Sequence, residues 1–164
     1  MTPNILLDVL QAETQEAIKD LILPTRIQSE DEEPSFRTAD VYKMRLPDSR
    51  SYKKKAPYII HQVLKVYNKQ NPGDDSPKRF ALVRSIFCVY DPDEQEGELS
   101  LLNLYERFFQ FICKKVIIGK MFELDLEEGT EFVSYPEDTA PYYGGELQTV
   151  WELPPVDREV TIWQ

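Results

Sequence analysis

The hydrophobic positions divide the chain into two helical stretches, each followed by strands. In the first 22 residues they recur near the helical period, which predicts an amphipathic helix over residues 3–22. Thr2 and Pro3 form a favourable helix start, because the hydroxyl can accept from free N–H groups and proline suits the first helical position. The acidic, proline-containing stretch that follows is expected to be a solvated connection.

Residues 37–90 have the pattern of strands joined by polar loops. A strand with impure alternation is predicted at 37–46, and one with cleaner alternation at 58–66. The polar segment 47–57 would then be the tip of a long hairpin. His61 lies within the second of these strands, and we expect a partly exposed structural imidazole there.

The strand at residues 80–89 is expected to lie in the centre of the sheet. Its alternate residues are apolar on both faces, a pattern typical of a strand that is covered on both sides. Arg84 is the exception. We expect its guanidinium to reach a carboxylate or the margin of the sheet.

An acidic segment precedes the second helix. Residues 91–98 contain five acids, and a helical stripe then predicts a helix over 98–118, with Gly119 as its C-terminal cap. Negative charge before a helix is favourable by about 0.3–1 kcal/mol per residue, so the acids have a structural explanation. Their spacing does not provide the ligand positions of an EF-hand loop.

The last third of the chain returns to strands. Within 121–153 we predict short strands at 121–124, 131–135 and 146–153, followed by a tail at 154–164 after a double proline. Together these elements predict a single α+β domain. Its sheet would be mostly antiparallel and packed against the two amphipathic helices, one N-terminal and one central.

Composition narrows the functional classes. A chain of 164 residues with 41% hydrophobic residues can bury one core without metal or disulfide support. The net charge of −10, from 29 acidic and 19 basic side chains, repels phosphate backbones and disfavours sequence-specific nucleic-acid binding. Two readings of this charge stay open: it aids solubility, or it forms an acidic wall along which nucleic acid slides.

Neither a membrane location nor a cofactor is predicted. The chain has no apolar run near the roughly 20 residues of a membrane span, and its N-terminus lacks a secretory pattern, so we expect a cytoplasmic protein. Cys88 and Cys113 do not form a CxxC pair and are expected to be reduced thiols in the core. No phosphate loop, nucleophile with its base or metal-ligand set is evident, and an enzyme is not expected.

A basic cluster within 47–57 stands out from the acidic chain. It consists of Arg50, Lys53, Lys54 and Lys55. One interpretation is a hairpin loop kept soluble by lysine. The other is a docking arm for an acidic neighbour, or a weak contact with passing nucleic acid.

The order of elements, together with two segments, resembles a known family. The segments are SIFCVYDPDEQEGELSLLNLYERFFQFI at 85–112 and YYGGELQTVWELPPVDRE at 142–159. They resemble the tail terminator (tail-completion) or neck proteins of tailed bacteriophages and of related prophages and phage-tail-like particles of Gram-positive bacteria. The N-terminal helix and first hairpin agree with that family in type and order only.

The resemblance implies a structural protein of the virion. Members form a ring, commonly of six subunits, that caps the tail tube, stops its polymerisation and joins the tail to the head, while DNA passes through the lumen without specific binding. The implied partners are other copies of the chain, the tail-tube protein, and the sheath and head-closure or connector proteins. The protein would be in the host cytoplasm during assembly and then in the virion tail or neck.

Two alternatives stay open: a head-closure or connector-adaptor protein of the same neck, and a small acidic protein that mimics DNA. In the favoured role, the 47–57 loop, the 91–98 turn and the 154–164 tail are expected to make contacts outside the core. The candidate interface residues in and near these segments are Lys53, Lys54, Lys55, Asp91, Asp93, Glu94, Trp151, Val160 and Trp163.

Overall fold

The fold is an α+β domain in which two helices cover one face of a curled, mostly antiparallel sheet. A computed structural model of the protein describes residues 2–26, 33, 35–47 and 55–156. The predicted fold class is confirmed. The tip of the predicted hairpin loop at 48–54 and the tail beyond residue 156 lie outside the described residues.

The elements of the described chain are two helices and nine strands. The helices are α1 Thr2–Ile18 and α2 Glu94–Lys115. The strands are β1 Leu23–Pro24, β2 Phe36–Arg37, β3 Asp40–Lys43, β4 Tyr58–Lys69, β5 Lys78–Tyr90, β6 Ile117–Ile118, β7 Phe122–Leu124, β8 Glu131–Ser134 and β9 Tyr142–Leu153.

Strand β5 is the centre of the main sheet, as its two apolar faces predict. The strand order is β3-β4-β5-β9-β7-β6, with β8 paired to β9 beside β7, and β1 and β2 form a separate pair. β5 pairs antiparallel with β4 on one side and with β9 on the other along nearly its whole length. These three long strands therefore form the frame to which the shorter strands attach.

The predicted hairpin between the first two strands is wrong. Instead of one strand at 37–46, the chain forms two short strands, β2 and β3. β3 runs parallel to β4, from Asp40 opposite Tyr58 to Lys43 opposite His61. A parallel pair needs a connection of a dozen or more residues, and the 14 residues from 44 to 57 are enough. The impure alternation of the segment did not specify a strand direction.

Helix α1 ends four residues earlier than predicted. It stops at Ile18, whose carbonyl oxygen accepts from the Leu21 N–H at 2.9 Å in a turn. The chain then extends into β1, where Leu23 is buried and Ile22 is exposed. Burying Leu23 in a strand requires an extended backbone, which ends the helix before Pro24 constrains it.

Helix α2 begins and ends earlier than predicted. Asp93 caps its start by accepting from the Gln95 N–H, so the second half of the acidic segment is the first turn of the helix. Gly97 lies inside this turn because the ring of Tyr143 packs over it: a Cβ at residue 97 would lie 2.0 Å from that ring. At the other end Val116, at φ 61°, is the cap, and Gly119 instead occupies a turn after β6.

The main core lies between the helices and the sheet. Buried side chains of α1 and α2 pack on one face of β4, β5 and β9, which we call the helix face. Its largest fully buried side chains are Trp151, Phe87, Phe108 and Phe122.

The opposite face carries a second, smaller cluster, and we call it the helix-free face. Tyr58, Ile60 and Cys88 are buried there, with several tyrosines packed around them. Both cysteines are free thiols, as expected, and burial raises the pKa of Cys88 to about 11. This thiol is therefore protonated and unreactive at neutral pH.

His61 is fully buried, so the prediction of a partly exposed imidazole is wrong. Its Nε2 lies 2.7 Å from Thr14 Oγ1 on α1, and its Nδ1 lies 2.7 Å from Ser85 Oγ on β5. The Thr14 hydroxyl donates to the Leu10 carbonyl at 2.5 Å, so it must accept from the imidazole. Nε2 therefore carries the proton, and Nδ1 accepts from the Ser85 hydroxyl.

This chain of hydrogen bonds holds a neutral histidine in the core. Both ring nitrogens are satisfied, which removes the cost of burying them. Burial lowers the pKa of His61 to about 3, from an ordinary value of about 6.5. In the unfolded chain the imidazole protonates as the pH falls through its ordinary pKa, while in the folded protein it stays neutral.

We expect this difference to make folding sensitive to mild acid. The contribution of His61 to stability is complete above pH ~6.5 and is lost as the pH falls towards ~3, at about 1.4 kcal/mol per pH unit. Because the chain has one histidine, His61→Gln is a clean control. Between about pH 6.5 and 4.5 the wild type should lose about 2–3 kcal/mol more unfolding free energy than His61→Gln in urea titrations. Parallel pH profiles of the two proteins would contradict this.

Candidate interface surfaces

The predicted interface residues fall into separate parts of the molecule. Lys55 is half-buried, and its carbonyl oxygen accepts from the Arg37 guanidinium at 2.6 Å. The remaining lysines of the basic cluster and the two tail residues lie outside the described residues; they are Lys53, Lys54, Val160 and Trp163. Their assignment to an interface stays a prediction.

The acidic residues before α2 organise the start of that helix. Asp91 is buried, and its carboxylate accepts from the Asp93 N–H at 3.0 Å and from the Ser100 hydroxyl at 3.1 Å. Asp93 caps the helix, and Glu94 is exposed in the first turn. Of the three, Glu94 is the one whose side chain is both exposed and outside this capping arrangement.

Trp151 is a core residue in this fold. Its side chain is 0% exposed, and its indole N–H donates to Thr149 Oγ1 at 2.9 Å. A surface contact through this side chain is therefore not available while the domain is folded. In the sequence Leu147, Thr149, Trp151 and Leu153 alternate with polar residues and Val150, a pattern that places Trp151 on the buried face of β9.

An acidic cleft lies beside the start of α2. It has a volume of about 260 Å³ and is bordered by Tyr143 and by four acids: Glu94, Glu98, Glu137 and Asp138. Such a lining is suited to a cationic group. Within the described ranges, however, no three His, Cys, Asp or Glu side chains are grouped in a way that could hold a metal ion.

A row of polar side chains crosses the helix-free face of the sheet. Arg84 donates through Nε and Nη2 to Gln62 Oε1 at 3.0 and 2.7 Å, and its Nη1 lies 3.9 Å from Glu146 Oε2. Tyr135 donates to the same Glu146 oxygen at 3.1 Å. The expectation that Arg84 reaches a carboxylate is confirmed, and the row connects β4, β5, β9 and the end of β8.

Tyr135 remains a hydrogen-bond donor throughout the physiological pH range. Burial, followed by the negative charge of Glu146, raises the pKa of its phenol to about 12. The tyrosine is therefore neutral at physiological pH and available as a donor. The hydrogen bond to Glu146 therefore holds Tyr135, the residue that follows β8, on the helix-free face.

The first open border of the sheet is the outer edge of β4. β3 pairs only with Tyr58 to His61, and Met44, at φ 66°, ends that pairing. The next outward N–H, that of Val63, has the Met44 thioether sulfur at 3.4 Å, which is a weak acceptor. Among the residues that the structure describes, no strand pairs with the outer edge of β4 beyond this point.

The second open border is the outer edge of β8. This strand is held from behind: the Phe132 ring stacks on Tyr105 of α2 at 4.0 Å between centroids and also contacts Phe87. Val133 is 45% exposed, and Tyr135 is also exposed. In the described part of the chain, β8 has β9 as its strand partner and no other.

The sequence pattern did not reveal the apolar side chains at the β4 border. The alternation of 58–66 places Leu64 and Val66 on the same side as Tyr58 and Ile60, which are buried, but Leu64 is 45% exposed and Val66 is also exposed. A β-bulge between Val63 and Lys65 shifts the register, and β3 does not extend this far. Neither the bulge nor the length of the neighbouring strand is encoded in the alternation of β4 itself.

Two further observations bear on chemistry. Ser85 and His61 have the spacing of a nucleophile and its base, but both are fully buried, so substrate cannot reach the serine hydroxyl in this fold.

A search of the described helices for one that is long and apolar enough to cross a membrane finds none.

The polar row on the helix-free face can be tested by mutation. Arg84→Met keeps the aliphatic stem but leaves the Gln62 oxygen and Glu146 without their cation. It should lower the free energy of unfolding by about 1–2 kcal/mol in denaturant titrations. As a control, Lys19→Met removes an ion pair with Glu16 that is exposed on both sides, and it should cause no measurable change. Equal effects of the two substitutions would show that the row does not stabilise the sheet.

Comparison of the chain with models of known protein families gives no match, and a search of curated proteins finds no relative either.

Proposed function

We propose that this protein is a ring-forming structural component at the head-proximal end of a phage tail or tail-like particle. In this role it ends polymerisation of the tail tube and joins the tail to the head. Its partners are other copies of itself and the tail-tube protein, and it works without a cofactor or a catalytic centre. The proposal starts from the sequence resemblance of residues 85–112 and 142–159 to tail terminator and neck proteins.

The observation that carries the proposal is the pair of exposed borders of the sheet at β4 and at β8. Each border exposes apolar side chains beside backbone groups that lack a strand partner among the described residues: Leu64 and Val66 at β4, Val133 and Tyr135 at β8. Such edges are templates for pairing with another chain. Because the two borders differ, a contact between them is head-to-tail, and head-to-tail contacts generate rings when the rotation closes.

The charge of the chain agrees with a conduit for DNA. A net charge of −10 repels phosphate groups, so a lumen built from such subunits would let DNA pass without holding it. A head-closure or connector-adaptor protein would share these properties. The two roles differ in the protein that is bound, which is the tail-tube protein for a terminator and the connector for an adaptor.

The proposed function predicts closed rings. Sedimentation velocity at increasing protein concentration should show association to one closed species, a hexamer for the favoured role, and negative-stain images should show rings with a central opening. Rings should also cap tail tubes assembled from the tube protein. A protein that stays monomeric at its solubility limit, and that neither caps nor shortens tubes in the mixed assembly, would contradict the proposal.

A further inference from the structure

The two open borders have strand directions that suit each other. β4 is antiparallel to β5, β5 is antiparallel to β9, and β9 is antiparallel to β8, so β8 runs antiparallel to β4 in one copy. A sideways displacement that places β8 of one copy beside β4 of the next therefore brings the strands together in antiparallel orientation. No rotation of either subunit is needed to reverse a strand.

The side chains at the two borders also share a face. After the bulge in β4, Lys65 and Tyr67 lie opposite Leu82 and Phe80 and so belong to the helix-free face. In β8, Glu131 and Val133 alternate with Phe132, which packs against α2, so they too belong to the helix-free face. When the two sheets join with their faces aligned, a lysine and a tyrosine meet a glutamate and a valine.

The backbone of β8 is ready for such pairing. The Tyr135 N–H donates to the Gly144 carbonyl at 2.8 Å, so this residue and its alternates direct their backbone groups towards β9. By alternation, the N–H and C=O groups of Phe132 and Ser134 point away from β9. Because the Phe132 ring is fixed against Tyr105, this outer edge is held in place before any partner arrives.

We propose that copies of this chain join head-to-tail through these two edges, with β8 of one copy pairing antiparallel with β4 of the next beyond Gln62. Lys65 of one subunit comes within reach of Glu131 of the next on the helix-free face. β3 limits the contact on one side, because it already occupies the first four residues of β4. The proposal deepens the ring assembly of the proposed function and rests on it for closure.

Cross-linking between two variants that each add one cysteine to the two native ones tests the geometry. Leu64→Cys and Ser134→Cys place thiols at exposed positions of the two edges and leave Lys65 and Glu131 intact. A mixture of the two proteins, treated with a short bis-maleimide, should give a covalent dimer that contains one of each. Each variant alone, and the parent protein with its two native cysteines, should give background levels.

A dimer from Leu64→Cys alone would indicate symmetric β4-to-β4 pairing and would overturn the proposal. Absence of the mixed dimer up to the solubility limit would overturn it as well.

Charge exchange tests the contact independently. Lys65→Glu and Glu131→Lys should each weaken self-association, measured by sedimentation equilibrium, by about tenfold or more, because each places like charges together. The double variant should recover most of the wild-type association, since it restores opposite charges across the edge. As a matched control, Lys19→Glu changes charge by the same amount away from both edges and should have little effect. A double variant as weak as the sum of its parts would contradict the contact.

Failure of this contact and failure of the proposed function are distinguishable. Rings that form in wild type but show no mixed cross-link and no charge recovery would retain the ring and reject these edges as its interface. A mixed cross-link with open chains in place of closed rings would retain the edge pairing and reject the ring.

Discussion

The fold depends on a mismatch between long inner strands and short outer ones. β4, β5 and β9 have 12, 13 and 12 residues, whereas β3, β7 and β8 have four, three and four. The central strand β5 has a hydrogen-bonded neighbour on each side along nearly its whole length, which satisfies its buried N–H and C=O groups. β4 is buried where β3 pairs with it and more exposed beyond, where no described strand pairs with its outer edge. The backbone groups of that exposed edge are open to water or to another chain.

Much of the architecture could be predicted from the sequence, because the signals were local and strong. The two-sided apolar pattern of 80–89 identified the central strand, and the alternation from Leu147 to Leu153 identified the half-buried β9. The lone charge of Arg84 in an apolar strand pointed to a carboxylate partner, which is Glu146. Each of these inferences used only the residue pattern within a single segment of the chain.

The errors arose where distant segments decide the structure. His61 is buried because Thr14 and Ser85, on two other elements, satisfy both ring nitrogens. Gly97 lies within a helix because Tyr143, 46 positions later, needs the space where a Cβ would be. The parallel direction of β3 follows from a crossover and leaves no local pattern. Which strands carry the open borders could not be predicted for the same reason, since exposure of β4 depends on where its neighbour stops.

We expect a second copy of the chain to cover the outer edge of β4 in the assembled protein. Amide hydrogen exchange at Val63 and the residues after it, compared between dilute monomer and concentrated assembly, measures this directly. Exchange should slow in the assembly at the β4 edge and at Phe132 and Ser134 of β8, and it should stay unchanged in the exposed turn around Gly73. Rapid exchange at both edges in a fully assembled sample would show that these edges are not the contact between subunits.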